Sequence, residues 1–98
     1  MTTKKQLDED FLEDASETLR VMAHPIRLAI IDLLYQEEEL SVTEIHQNLE
    51  IEQAVASHHL RILKGKKVVR VRRDGQRSLY TLKDENYHTI LHIMTELK

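Results

Sequence analysis

Cysteine is absent from this sequence of 98 residues, and glycine occurs only twice. The absence of cysteine excludes disulfide scaffolds, thiolate metal sites and cysteine-based redox switches. The sequence also lacks a glycine-rich phosphate loop and a nucleophile motif, so its histidines and acids have no recognisable catalytic framework. We therefore expect a protein that is not an enzyme.

Long hydrophobic runs are absent as well. The longest comprises residues 28–31, and residues 1–6 lead into an acidic stretch instead of an apolar one. A membrane span requires about 20 mostly apolar residues, and a signal peptide requires an apolar segment near its start. The sequence therefore predicts a cytoplasmic protein without a membrane partner.

The chain has enough apolar residues for one core, since 41% of its residues are hydrophobic and 32% are charged. A chain of about 100 residues forms one domain and buries roughly two-thirds of its unfolded surface. Further burial against a partner would stabilise so small a domain. We expect residues 1–98 to form a single domain that dimerises.

Charge is distributed unevenly along the chain, whose formal net charge is -3. Residues 61–83 contain nine of the fourteen Lys and Arg residues and one acid, Asp74, which gives this basic segment a net charge of +8. The rest of the chain has a net charge of -11. Such asymmetry indicates a phosphate-facing surface on an acidic body, although a charge run can also be a solvated face.

Helical periodicity predicts four helices before residue 66. The first spans roughly residues 7–22, and the second begins at Pro25, because proline suits the first helical position. Ser41 and Glu44 have capping-box spacing and open a short third helix. After a break near residues 49–52 the apolar positions return until Gly65. The third and fourth helices therefore have helix-turn-helix spacing.

Beyond Gly65 the hydrophobic period changes to two residues. Valines alternate with arginines, Asp74-Gly75 marks a turn, and residues 79–82 follow, a pattern that predicts a β-hairpin with a basic tip. A last amphipathic helix follows from Asp84. The predicted order α-α-α-α-β-β-α is a mainly α fold with a β-hairpin, the winged helix-turn-helix.

The fourth helix is the candidate DNA-reading element. With its apolar side turned to the core, its other side holds groups that hydrogen-bond to bases, contact a thymine methyl or bind phosphate. These candidates are Gln53, Ala54, Ser57, His58, Arg61 and Lys64. The first four lie where such helices contact bases, whereas Lys64 is expected at a phosphate. His58 has the alternative of being an ordinary surface histidine, and His59, on the apolar side, is expected in the core.

The tip of the hairpin is the second candidate contact. Its DNA-binding candidates are Arg72, Arg73, Gln76 and Arg77. Positive side chains there would reach the adjacent minor groove or the DNA backbone, where the potential is strongly negative. The same charges would also protect an edge hairpin from aggregation.

Three segments resemble the ArsR/SmtB family of repressors: residues 22–31 (MAHPIRLAII), 53–63 (QAVASHHLRIL) and 74–82 (DGQRSLYTL). With their spacing they cover residues 15–98. The resemblance implies a homodimer joined through its first and last helices, which binds an imperfect palindrome near a promoter and is released by an effector. The alternative is a winged-helix module that binds protein instead of DNA.

Many members of that family sense metals, but this sequence departs from their ligand patterns. The thiolate site uses Cys-x-Cys at the start of the third helix, where this chain has Ser41-Val42-Thr43. The zinc-type pattern of the last helix needs Asp-x-His and a second ligand pair about eleven residues on, whereas this chain has Asp84-Glu85-Asn86 and then Leu97. We expect no cofactor, and a small-molecule or metal effector stays open.

One ladder of side chains on the last helix keeps a metal hypothesis open. Two carboxylates and two imidazoles share one helical face: Glu85, His88, His92 and Glu96. Their geometry suits zinc or nickel, but such a ladder is more often a solvated face with weak charge pairing.

Overall fold

The computed structural model describes residues 7–97, which form two helices, a helix-turn-helix, a hairpin and a last helix. The elements are α1 (Glu9–Met22), α2 (Pro25–Glu37), β1 (Leu40–Ser41), α3 (Val42–Leu49), α4 (Gln53–Gly65), β2 (Val69–Asp74), β3 (Arg77–Leu82) and α5 (Asn86–Thr95). The predicted winged-helix fold is confirmed. Across residues 7–97, every helix is too short or too polar to cross a bilayer.

The first two helices begin at side-chain caps. Asp8 accepts a hydrogen bond from the backbone N–H of Phe11 at 2.9 Å. The ring Nδ1 of His24 accepts one from the N–H of Ile26 at 3.1 Å, and Pro25 occupies the first helical position as predicted. Each cap satisfies an N–H group that has no partner within its own helix, which defines where the helix starts.

Helix α3 begins at the capping box that the sequence predicts. The N–H of Glu44 donates to the hydroxyl of Ser41 at 3.1 Å, and the N–H of Ser41 donates to the carboxylate of Glu44 at 2.8 Å. The helix ends at Glu50, whose φ of 56° and ψ of 45° are left-handed. This tight ending lets the chain turn directly into α4.

The sheet has one strand more than the sequence predicts. Strand β1 pairs antiparallel with β3, Leu40 opposite Tyr80 and Ser41 opposite Leu79, so the strand order is β1-β3-β2. Two residues are too few to show a hydrophobic period of two, which is why the pattern does not reveal this strand. The short strand fixes the base of the hairpin to the start of α3.

The core lies between α2, α3, α4 and the base of the hairpin. Its largest fully buried side chains are Ile30, Ile31, Leu34, Ile45, Leu60, Leu63, Val68 and Val69. On α4 the buried residues are Ala56, His59, Leu60 and Leu63. Because these four positions share one side of the helix, the opposite side is turned to solvent.

Of the two later helix boundaries, one agrees with the prediction and one differs from it slightly. Helix α4 ends at Gly65 as predicted, and the left-handed residue that follows is Lys67, with a φ of 62°. Helix α5 begins at Asn86, two positions after Asp84, whose carboxylate accepts a hydrogen bond from the Asn86 N–H at 2.8 Å. Helix ends of this kind depend on local hydrogen bonds that periodicity does not show.

His59 is a buried core histidine, as predicted, with 7% of its surface exposed. Its ring lies 4.4 Å from that of His24 and 5.0 Å from that of His58, measured between centroids. Burial lowers the pKa of His59, and the charges of His24, Arg27 and His58 lower this pKa further. The neutral ring therefore belongs to the folded state.

We expect acidification to weaken the fold through His59. The unfolded chain takes up this proton near the ordinary value of 6.5, whereas the folded protein keeps the ring neutral to lower pH. The stabilising contribution is therefore complete above that value and is lost as the pH falls below it. The free energy of unfolding of His59→Gln should fall less steeply with acidification than that of the wild type.

Urea unfolding at a series of pH values measures this difference. His92→Gln, which removes an exposed ring on α5, is the control for the loss of one titratable histidine. Equal pH slopes for the wild type and His59→Gln would contradict the assignment.

Candidate nucleic-acid interface

Helix α4 presents the predicted DNA-reading residues on the side away from the core. The exposed members are Gln53, Ala54, His58, Arg61 and Lys64, and Ser57 is half-buried at the margin of this face. The small side chains of Ala54 and Ser57 leave the helix backbone accessible from outside. This combination of small and hydrogen-bonding groups suits a helix that enters a major groove.

The start of α4 shares a groove with the start of α3 and with the wing, the name we use for hairpin β2–β3, residues 69–82. The groove has a volume of about 470 Å³. It is lined by Ser41, Val42, Thr43, Glu44, Gln53, Gln76, Arg77 and Ser78. The structure therefore brings the first predicted reader, Gln53, next to two of the predicted wing residues.

The wing turns tightly at its tip. Asp74 and Arg77 are the last paired residues, and Gly75 begins the turn with a φ of 66°. Glycine adopts this conformation without the clash that a Cβ would cause, and tight hairpin turns require it. The turn leaves Arg73 and Gln76 exposed at the outer end of the wing.

The wing arginines fall into two groups that the sequence does not distinguish. Arg72 donates two hydrogen bonds to the carboxylate of Glu39, from Nε at 2.8 Å and from Nη2 at 2.9 Å. Arg77 approaches the carboxylate of Glu44 at 3.4 Å. Arg73 forms no ion pair with any residue in the range 7–97.

The carboxylates of Glu39 and Glu44 both have lowered pKa values. The hydrogen bonds from Arg72 lower the pKa of Glu39, and Glu39 in turn raises the pKa of Arg72. Hydrogen bonds from Ser41 lower the pKa of Glu44, with a smaller contribution from the charge of Arg77. Sequence reasoning missed both acids as part of the interface, because no spacing rule connects residues that are 33 positions apart.

One cation of the basic segment faces the protein. The ammonium group of Lys66 donates to Asp14 at 2.8 Å and to Glu17 at 3.1 Å. These hydrogen bonds raise the pKa of Lys66 and connect the end of α4 to α1. The net charge of the segment therefore overstates the charge that its surface offers to DNA.

The four residues of the ladder on α5 do not share one partner. His88 contacts Asp32 of α2 at 2.8 Å through Nε2, and its ring stacks on Tyr35 with centroids 3.8 Å apart. His92 lies 3.8 Å from Glu96, and Glu85 precedes the first residue of α5 without a capping hydrogen bond from its side chain. Within the described part of the chain no three ligand-type side chains converge on a point where a metal ion could bind.

Comparison with known proteins places these features in a family. Residues 22–72 of this chain match the model of a protein family described as a helix-turn-helix domain. The transcriptional repressor PagR of Bacillus anthracis is 36% identical over 87 residues, which cover 89% of this chain and 87% of PagR. The repressor SmtB of Mycobacterium tuberculosis is 38% identical over 87 residues, which cover 89% of this chain and 62% of SmtB.

Solved structures agree with the sequence matches. The crystal structure of PagR superposes with a TM-score of 0.79 and covers 89% of this chain and 99% of that one. The solution structure of the homodimeric winged helix-turn-helix DNA-binding domain of Mb0332 from Mycobacterium bovis, described as a possible ArsR-family regulator, has a TM-score of 0.79 at 27% identity. It covers 90% of this chain and 81% of that domain. The chain belongs to the ArsR/SmtB family of winged helix-turn-helix transcriptional regulators.

Proposed function

We propose that this protein is a sequence-specific transcriptional repressor that binds double-stranded DNA as a homodimer. The main observation behind the proposal is the groove that Gln53 of α4 lines together with Gln76 and Arg77 of the wing. A winged helix places its second motif helix in the major groove while the wing reaches the neighbouring backbone or minor groove. Both contacts require that the two elements share one face, and here they do.

The residues of this face divide by chemistry into readers and anchors. Gln53, Ala54, Ser57 and His58 have the groups that hydrogen-bond to base edges or contact a thymine methyl. Arg61 and Lys64 follow along the exposed side of α4 and supply charge near the phosphates. On the wing, Arg73 and Gln76 at the tip complete the proposed contact surface.

The dimer interface that we propose is formed by α1 and α5 of two copies. The two helices and the residues next to their outer ends expose large apolar side chains: Leu7, Phe11, Leu12, Leu19, Ile90, Ile93, Met94 and Leu97. An apolar groove joins them, lined by Leu19, Met22, Ala23, Leu28, Ile90, Leu91 and Met94. Monomeric proteins rarely leave so continuous an apolar surface in water, and a two-fold dimer would bury it.

A two-fold dimer presents two copies of α4 to two half-sites, so its operator is expected to be a near-palindrome. Release from DNA would follow from an effector that favours another dimer geometry. The relatives are transcriptional regulators, and we propose neither an enzymatic activity nor a cofactor for this chain. Access to DNA would place the protein in the cytoplasm.

Replacing a reader should reduce sequence preference more than affinity. The selected duplex is one that the wild-type protein enriches from a random library. We expect His58→Ala to lower the preference for this duplex over a random duplex by about 10- to 100-fold. Arg73→Ala should weaken both duplexes by similar factors and reduce the salt slope of the dimer by about 1.8, which is about 0.9 for each protomer. Fluorescence anisotropy at several salt concentrations measures both quantities.

Lys83→Ala removes an exposed cation near the end of the wing far from its tip, and it is the control for general charge loss. Equal effects of His58→Ala on both duplexes would refute its role as a reader. Failure of the wild type to bind any duplex or genomic fragment would favour the alternative of a protein-interaction module.

A charge on the apolar face should break the dimer. Met94 is 52% exposed in the single chain, so Met94→Glu should fold and yet oppose burial between two copies. We expect sedimentation equilibrium to show monomers and the selected duplex to be bound about 100-fold more weakly, because linked sites gain about that much. Thr89→Glu, on the exposed polar side of α5, is the control, and a dimeric Met94→Glu would contradict the interface.

Metal should not control the affinity for DNA. Because no set of three ligands converges within residues 7–97, we expect the affinity for the selected duplex to be the same after chelator treatment and after addition of zinc. The measurement combines the metal content of the purified dimer with anisotropy titrations. A change of affinity that requires His88 and His92 would establish the ladder of α5 as a sensor.

A further inference from the structure

The outer half of the wing has little support from the sheet. Strand β1 pairs with Leu79 and Tyr80 of β3, and its pairing ends there. Beyond this point, residues 73–78 form a ribbon of two strands joined by the turn at Gly75. A ribbon of two strands is marginally stable by itself. Its direction relative to α4 therefore depends on side chains at its base.

Two acid–arginine pairs hold the ribbon, one on each strand: the pair on β2 lies where the ribbon leaves the sheet, and the pair on β3 lies next to the turn. On β2, Arg72 makes the two-point contact with Glu39. On β3, Arg77 approaches Glu44, whose carboxylate is already held by the N–H of Ser41 at 2.8 Å. Glu39 belongs to the segment that joins α2 to α3, and Glu44 lies in the first turn of α3, so the pairs connect the wing to the helix-turn-helix.

The backbone turn before Glu39 is strained. Glu38 has a φ of 72° and a ψ of -58°, and the N–H of Glu39 donates to the carbonyl of Glu37 at 2.9 Å. This is a γ-turn of the rare strained form, which a non-glycine residue keeps only when surrounding contacts impose it. The turn brings Glu39 to the start of β1, from which its carboxylate reaches Arg72.

We propose that Glu39 is a positioning residue that holds the wing at the angle required for DNA recognition, with Glu44 in the same role on the other strand. In this arrangement Arg72 is committed to Glu39 in the complex as well as in the free protein. At the outer end of the wing, the charge that replaces counterions on DNA is then that of Arg73. The inference rests on the proposed function, because it states which wing residues orient the wing and which contact DNA.

The experiment compares Glu39→Gln with Glu37→Gln. Glu37 is an exposed acid at the end of α2 that forms no ion pair within residues 7–97, so its variant controls for the loss of one negative charge. In the DNA-free protein we expect Glu39→Gln to speed proton exchange at the Nε–H of Arg72 and at the wing amides, measured by NMR. Glu37→Gln should leave these rates at their wild-type values.

In DNA binding, Glu39→Gln should have opposite effects on the affinity for a random duplex and on the preference for the selected duplex. Released from Glu39, Arg72 of each protomer becomes available to a phosphate, so the salt slope of the dimer for a random duplex should increase by about 1.8. We expect affinity for that duplex to rise about threefold or more at low salt. Preference for the selected duplex should fall by about the same factor, because the wing no longer has a fixed angle.

A second pair of variants tests which arginine contacts phosphate. Arg73→Gln should reduce the salt slope of the dimer by about 1.8, whereas Arg72→Gln should leave it near the wild-type value. The exchanged pair Glu39→Arg with Arg72→Glu should restore slow exchange of the wing amides in the DNA-free protein. That recovery would show that the ion pair itself keeps the wing in its ordered conformation.

Equal reductions of the salt slope by Arg72→Gln and Arg73→Gln would overturn the proposal, because Arg72 would then contact DNA instead of Glu39 in the complex. A lower melting temperature of Glu39→Gln without a change in exchange at the wing or in duplex preference would also overturn it, since Glu39 would then be merely structural. Absence of DNA binding by the wild type would refute the proposed function. The exchange rates of the DNA-free protein would still decide whether Glu39 holds the wing.

Discussion

The burial of one side of α4 is the constraint on which the rest of the structure depends. Ala56, Leu60 and Leu63 are completely buried, so the helix has a single orientation relative to the core. At 3.6 residues per turn, this orientation fixes which side chains face outward. The geometry of the candidate interface is therefore a consequence of packing, and His59, the buried polar residue on that side, makes the packing sensitive to pH.

The positions of the acidic residues determine how much positive charge the protein surface presents to DNA. Three of the nine cations in residues 61–83 have acidic partners from outside that segment: Lys66, Arg72 and Arg77. The cations that stay exposed without such partners include Arg61, Lys64 and Arg73 along α4 and the wing. An acidic protein can thus present a positive face, because its acids also serve to orient the basic side chains.

Local signals were sufficient to predict most of the fold. The capping box of Ser41 and Glu44, the start of α2 at Pro25 and the turn at Gly75 depend on residues close in sequence, and each prediction is confirmed. Strand β1 and the contacts between Glu39 and Arg72 depend on the tertiary arrangement, and the pattern of residues does not contain them. The DNA-reading face follows from helical periodicity, whereas the division of the wing arginines required the structure.

The central claim is that DNA meets the exposed side of α4 together with the tip of the wing. The most direct measurement is an NMR titration of isotope-labelled protein with a duplex enriched from a random library. Amide signals of residues 53–64 and 73–77 should change most, with small changes along the exposed apolar sides of α1 and α5. Changes concentrated on α1 and α5, with α4 unaffected, would contradict the account.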